Sequence, residues 1–200
     1  MATRVIDMSC PNCGAAVDTG QNSCKYCRQP IVISTFTSVK DMPLPLINQY
    51  ANAYRQALTG DPDNCDLNTS IAMCYLKLKL YDQALKAFEK AVVDNFDNSE
   101  TFFYAAICLL KGQKAFLAQR SMIDKIEEYL NAALMIEPRG IYYSFQAYIK
   151  FDYYSRKSFR TKPTYQEALA MAKQVGVSPF DYEQMYAIMN VSCPQALSIF

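Results

Sequence analysis

Residues 65–98 read CDLNTSIAMCYLKLKLYDQALKAFEKAVVDNFDN, and their apolar spacing indicates the architecture of most of the chain. In the second half of this stretch, Ala84, Phe88 and Ala91 recur at helical spacing on one face. Their small, large, small order lets two helices approach each other closely. The stretch therefore predicts a pair of helices that pack through this face.

The span resembles a tetratricopeptide repeat (TPR), in which two antiparallel helices share their apolar faces with the next repeat. In the first helix, Ile71, Ala72 and Tyr75 stand where the family has Leu, Gly and Tyr. Asn68 replaces the family's usual tryptophan, and Phe96 stands where a proline is frequent. The resemblance implies an architecture and leaves the ligand open.

Further copies of the second-helix pattern occur on both sides in the same register. They are Tyr50, Tyr54, Ala57 and Pro62 upstream, and Ile126, Leu130, Ala133 and Pro138 downstream. The downstream repeat begins at Ser99 and needs an enlarged turn around residues 112–124. An irregular third repeat follows from Arg139, and Pro179 starts a closing helix with Ser178 as its N-cap. The copies predict a mainly α fold, a TPR-like α-solenoid of about seven helices over residues 46–200.

Two C-x2-C pairs near the N-terminus have the spacing of a metal site. Cys10 and Cys13 form one pair, Cys24 and Cys27 the other, and Gly14 follows the first pair. Four thiolates in two tight turns can enclose one tetrahedral Zn²⁺, and the spacing resembles a short zinc ribbon. We predict a β zinc ribbon over residues 1–33, including a last strand at residues 31–33, with one structural zinc.

Two alternatives remain open for these cysteines. Two disulfides would suit a secreted miniprotein, although nothing before Cys10 resembles a signal peptide. A rubredoxin-like iron site uses the same four ligands but joins its pairs by a longer insertion. The remaining cysteines, Cys65, Cys74, Cys108 and Cys193, are predicted to be unreactive.

The composition predicts a globular protein without histidine chemistry. The chain is 51% hydrophobic, and 20 Lys and Arg face 19 Asp and Glu, so a net charge of +1 gives no general attraction to nucleic acid or membrane. It contains no histidine, which removes histidine general bases and histidine metal ligands. The apolar run at residues 105–110 is too short to span a bilayer. We expect a non-enzymatic, soluble protein of the cytoplasm.

A partner-binding groove is predicted on the concave face of the first helices. The TPR register places there Asp66, Met73, Glu100, Phe103, Tyr143 and Lys150. An apolar groove of this kind commonly binds a helix or an extended peptide. The alternative is that the C-terminal helix folds back and fills the groove.

The segment of residues 156–162 is basic and lies among aromatic residues. Such interleaving can stack bases and neutralise phosphates, although a solvated loop or a surface for an acidic protein would have the same composition. Residues 34–45, with Pro43 and Pro45, are predicted to be a linker with few packing contacts. The leading interpretation is a protein–protein interaction adaptor or assembly component with a zinc ribbon and a peptide-binding repeat surface. A nucleic-acid-associated regulator that contacts DNA or RNA through the ribbon and the basic loop is the alternative.

Overall fold

The computed structural model describes residues 5–94 and 96–200. The chain divides into two compact units, one ending at Phe96 and the other beginning at Asp97. The domain boundaries predicted at residues 33 and 45 both lie within the first unit. The ribbon shares one unit with the first helices because it packs directly on them.

A short antiparallel ribbon begins the described chain. Strand β1 (Asp7–Ser9) pairs with β2 (Ala16–Asp18), with Met8 opposite Val17. Residues 31–33, predicted as a last strand, form no ladder with the described residues, and only an isolated bridge joins Ser23 to Pro30 nearby. The reason lies in the helices, which provide the hydrogen-bond partners of this segment.

The predicted linker contains a one-turn helix, α1 (Thr37–Lys40). Phe36 and Val39 are 5% and 0% exposed, so the segment packs instead of crossing solvent. Lys77 also donates a hydrogen bond from its Nζ to the carbonyl of Lys40. The hydroxyl and proline residues of this segment are typical of a spacer, which is why the sequence predicts a linker. The composition does not reveal that Phe36 and Val39 are buried.

Three longer helices complete the first unit: α2 (Leu44–Ala57), α3 (Cys65–Lys77) and α4 (Tyr81–Asp94). The side chain of Asn64 caps α3 by accepting a hydrogen bond from Leu67 N at 3.1 Å. On α4, Ala84, Phe88 and Ala91 are at most 1% exposed. Helices α3 and α4 pack against each other, as the small, large, small spacing predicts.

The second unit contains α5 (Ser99–Leu109), α6 (Arg120–Ile136), α7 (Gly140–Ile149), α8 (Tyr165–Val175) and α9 (Pro179–Met189). Helix α5 packs on α6, and α7 packs on α8. The turn between α5 and α6 is enlarged by a 3-10 turn at Ala115–Leu117. The connection between α7 and α8 is longer, with a π turn at Lys150–Tyr154 and a 3-10 turn at Ser155–Lys157.

The helical architecture is the mainly α, TPR-like one that the sequence predicts. Over the described residues there are nine α-helices instead of about seven, and one of them is the short α1 in the segment predicted as a linker. Ser178 caps α9 as expected, accepting from Asp181 N at 3.0 Å. Within the described residues, none of the helices is both long and apolar enough to cross a bilayer.

Candidate metal centre and partner-binding residues

The four predicted cysteines converge at one point of the ribbon. The sulfur atoms of Cys10, Cys13, Cys24 and Cys27 all lie within 4.8 Å of one another. Cys10 Sγ is 3.6 Å from Cys27 Sγ, and Cys13 Sγ is 3.7 Å from Cys24 Sγ. A tetrahedral site with metal–sulfur bonds of about 2.3 Å has sulfur atoms about 3.8 Å apart. The cluster therefore has the dimensions of a four-thiolate metal site.

The two C-x2-C turns are built in the same way. In each turn the first cysteine donates its N–H to a carbonyl five residues later and accepts from the N–H four residues later. The residue in this last position is left-handed in both turns, Gly14 at φ 75° and Arg28 at φ 60°. The bonds are Cys10 N to Ala15 O at 2.7 Å, Gly14 N to Cys10 O at 2.9 Å, Cys24 N to Gln29 O at 2.9 Å and Arg28 N to Cys24 O at 2.7 Å.

Gly14→Ala is expected to destabilise the ribbon by about 1–2 kcal/mol, because an alanine pays this cost in the left-handed region. A Cβ at Gly14 would meet nothing within 4 Å, so the cost comes from the backbone alone. Gly14→Asn is the control, since asparagine tolerates the left-handed region better. Thermal unfolding of the metal-loaded protein measures both variants. Equal melting temperatures for Gly14→Ala and the parent chain would contradict the turn geometry.

Hydrogen bonds to sulfur favour the thiolate form in the second turn. Backbone N–H groups of Cys27 and Tyr26 lower the pKa of Cys24. The side chain of Asn12 and the N–H of Gln29 lower the pKa of Cys27 to about 6. Thiolate is the form that binds metal, so both pKa shifts favour metal binding, and that binding weakens as the pH falls.

Burial acts in the opposite direction on Cys10. This residue is 2% exposed, and desolvation raises the pKa of its thiol. A thiolate at such a position needs a nearby positive charge, which a bound cation would supply. The donor set thus fits a soft divalent metal, and four sulfurs would leave no coordination position for a substrate.

The segment of residues 30–33, which follows the cysteine cluster, packs on the helices and forms hydrogen bonds with them. Ile31 and Ile33 are both 0% exposed. Tyr54 donates its hydroxyl to Ile31 O at 2.8 Å, and Ile33 N donates to Ser70 Oγ at 2.9 Å. Tyr50 donates to the carbonyl of the neighbouring Pro30 at 3.1 Å. The ribbon is therefore joined to α2 and α3 by packing and hydrogen bonds, and not only by a flexible linker.

The predicted groove residues of the first unit differ in accessibility. Met73 is 0% exposed and belongs to the core of α3. Asp66 lies in the first turn of the same helix and is partly exposed, and its carbonyl accepts from Ser70 Oγ at 2.7 Å. Only Asp66 of this pair presents surface in this conformation.

In the second unit, the predicted groove residue Phe103 lies within an aromatic cluster. It is 3% exposed, and its ring centroid is 4.7 Å from that of Tyr142 and 5.8 Å from that of Phe145. Helix α9 packs on both α5 and α7, with the Tyr186 ring 5.9 Å from the Tyr148 ring. This is the arrangement expected if the C-terminal helix fills the predicted groove. A binding role for Phe103 stays a prediction, and it would require this cluster to open.

Glu100 and Tyr143 remain partly exposed, whereas Lys150 is buried. Glu100 Oε1 pairs with Arg139 Nη1 at 2.7 Å. Lys150 Nζ pairs with Glu127 Oε1 at 2.6 Å and is 5% exposed. Sequence patterns do not indicate these partners, because each pair joins residues that are far apart along the chain.

No protein-family model matches the chain, and no curated protein matches it. Among solved structures, two of MamA, a TPR-like helical protein, are similar to this chain. The one designated MSR-1 is 17% identical with a TM-score of 0.47, and the similarity covers 70% of this chain and 68% of that chain. The one designated AMB-1 is 18% identical with a TM-score of 0.49, covering 72% and 82%. Similarity of this degree identifies neither a family nor a function.

Proposed function

We propose that the chain is a non-enzymatic protein–protein interaction adaptor in which one structural Zn²⁺ fastens the ribbon to the helical repeats. The four-sulfur geometry supports zinc, since two C-x2-C turns at this short separation are typical of zinc ribbons. A closed four-thiolate shell supports a structural role, because it offers no position for substrate. Unpaired thiols persist in a reducing compartment, which supports a cytoplasmic location.

The observation that carries the adaptor role is the exposure of Tyr26. It lies between two metal ligands, Cys24 and Cys27, yet its side chain is 69% exposed. Lys25 lies over its ring, with Nζ 5.5 Å from the centroid. Tyrosine is enriched among residues that dominate binding energies, and a turn closed on metal would hold this one rigidly at little entropic cost. We infer that Tyr26 is an anchor for a protein partner.

The repeat surface supplies a second contact in this proposal. Glu100 and Tyr143 of the second unit are partly exposed and provide the polar and aromatic groups that a peptide or helix would meet. Asp66 of the first unit is also partly exposed. The apolar residues predicted with them, Met73 and Phe103, are buried in the cores of their own units. The ribbon turn is the leading contact surface because it needs no rearrangement to become accessible.

Tyr26→Ala is expected to weaken capture of the protein partner at least 30-fold, as truncation of an anchor commonly costs about 2 kcal/mol or more. Affinity capture with the intact protein, followed by mass spectrometry, identifies the partner, and titration then measures the loss. Leu117→Ala is the control, since Leu117 is 67% exposed and lies outside the ribbon. Both variants should keep their metal and their circular dichroism. Equal capture by the two variants would contradict the assignment of Tyr26.

A further inference from the structure

A concave pocket of about 680 Å³ lies in the second unit over the connection between α7 and α8. Its walls contain three cations, four serine and threonine hydroxyl groups and two aromatic rings, and the described residues that line it include no carboxylate. Pockets of this size accommodate small organic ligands. The chemistry of the walls is that of a site for an anion with an attached ring.

Some cations of the connection between α7 and α8 interact with neighbouring side chains, and others have no acidic partner in the described part of the chain. Residues 153–166 contain four cations and no acid. Arg156 Nη1 is 2.6 Å from Asp152 Oδ1, and Lys157 lies over the Tyr153 ring at 3.9 Å. Arg160 and Lys162 line the pocket, are exposed, and form no ion pair among the described residues. These two side chains therefore supply the pocket with positive charge that no described ion pair neutralises.

Lys150 fixes the loop between those two cations. Its buried Nζ donates to Thr161 Oγ1 at 2.8 Å while it pairs with Glu127. The Thr161 hydroxyl accepts this bond and keeps its own hydrogen for a ligand. Ser158, in the left-handed region at φ 59°, adds another hydroxyl to the wall. The loop is thus held in place before any ligand arrives, which lowers the cost of binding.

Glu167 of α8 carries a negative charge that would repel a bound anion, but its carboxylate is engaged in capping the helix. Glu167 belongs to the capping box of α8, where its carboxylate accepts from Thr164 N at 2.7 Å. The hydrogen bond from the Thr164 backbone lowers the pKa of Glu167, and the charge of Lys162 adds to this effect. Glu167 is exposed and is not part of the pocket wall.

Two aromatic side chains border the cationic part of the pocket. Phe159 is 51% exposed, an unusual position for a phenylalanine, and it lies in sequence directly before Arg160. The Tyr165 ring packs edge-to-face against the Phe151 ring, with the two centroids 5.2 Å apart. An exposed ring face next to cations suits stacking of a nucleobase with its phosphate on the cations.

We propose that this pocket binds a nucleoside phosphate, with the phosphate held by Arg160, Lys162 and the Thr161 hydroxyl and the base stacked on Phe159. Two cations without a described ion pair match the compact charge of one such ligand. An extended nucleic acid needs a longer basic track, and the net charge of the chain is only +1. The site is independent of the protein-binding surface on the ribbon.

Calorimetric titration of the intact protein with ADP at low salt tests the proposal. ADP should bind, and inorganic phosphate or adenosine alone should bind more weakly than ADP. Replacing both cations, as Arg160→Gln with Lys162→Gln, should weaken ADP binding at least roughly tenfold, since even one charged hydrogen bond contributes on the order of a factor of ten. The control is Lys173→Gln, an exposed lysine of α8 outside the pocket wall.

The aromatic half of the proposal has its own control pair. Phe159→Ala should weaken ADP binding several-fold, whereas Phe180→Ala should not, although Phe180 is similarly exposed at 48%. Failure of ADP to bind the parent protein would overturn the proposal. So would unchanged ADP binding in the double variant or in Phe159→Ala. Binding of a single-stranded oligonucleotide without binding of ADP would assign the pocket to nucleic acid instead and would likewise overturn it.

Discussion

Cys24→Ser is expected to release the metal and to destabilise the whole first unit, including α2 and α3. Metal binding contributes about 10 kcal/mol or more to the folding of small zinc modules, and loss of one ligand in four forfeits most of it. The effect should spread because Ile31 and Ile33, which follow the site, are buried and bonded to Tyr54 and Ser70. Chemical denaturation monitored by circular dichroism measures the change.

Cys65→Ser is the matched control for this substitution. Cys65 lies outside the cluster as the first residue of α3 and is partly exposed. It should keep the metal and nearly all of the unfolding free energy. If Cys24→Ser lost its metal but left the unfolding of α2 and α3 unchanged, the ribbon would be an independent module, contrary to the contacts described above. If it matched Cys65→Ser in both respects, the cluster would not be a metal site.

Gly140→Ala is expected to destabilise the second unit by about 3 kcal/mol or more, at the upper end of overpacking effects. A Cβ at Gly140 would lie 2.0 Å from the Gly176 carbonyl oxygen and 3.1 Å from that of Ala172. Both obstacles are backbone atoms of the α8 end, so α7 would have to move away from α8. Side-chain rotation cannot relieve such a clash.

Gly60→Ala is the control for this effect. A Cβ there would meet only the Ala57 carbonyl oxygen at 3.6 Å, which is ordinary van der Waals contact. Its unfolding free energy should stay within about 1 kcal/mol of the parent chain, in either direction. Equal denaturation midpoints for the two variants would show that α7 and α8 do not approach each other this closely.

Local signals in the sequence were sufficient to predict the cysteine cluster and the repeat helices. The cysteine spacing predicts the sulfur cluster because a C-x2-C turn places two sulfurs on one side whatever surrounds it. Ala84, Phe88 and Ala91 predict the α3–α4 packing because helical periodicity states which residues share a face. Ser178 before Pro179 predicts the start of α9, because a helix cap depends only on residues within one turn of it.

The sequence was insufficient where the outcome depended on distant partners. Ile31 and Ile33 are β-branched and apolar, which suits a strand and a docking segment equally, and only Tyr54 and Ser70 decide between them. Phe103 occupies the expected register position, but periodicity does not show that aromatic rings of α7 cover it.

The most direct measurement of the central claim is X-ray absorption spectroscopy of the purified protein together with its metal content. We expect one zinc per chain, surrounded by four sulfur atoms at about 2.3 Å. The Cys24→Ser variant should lack this signal, and Cys65→Ser should retain it. Iron in place of zinc, nitrogen or oxygen ligands in the first shell, or a metal-free protein that is folded and stable would contradict a structural zinc at Cys10, Cys13, Cys24 and Cys27.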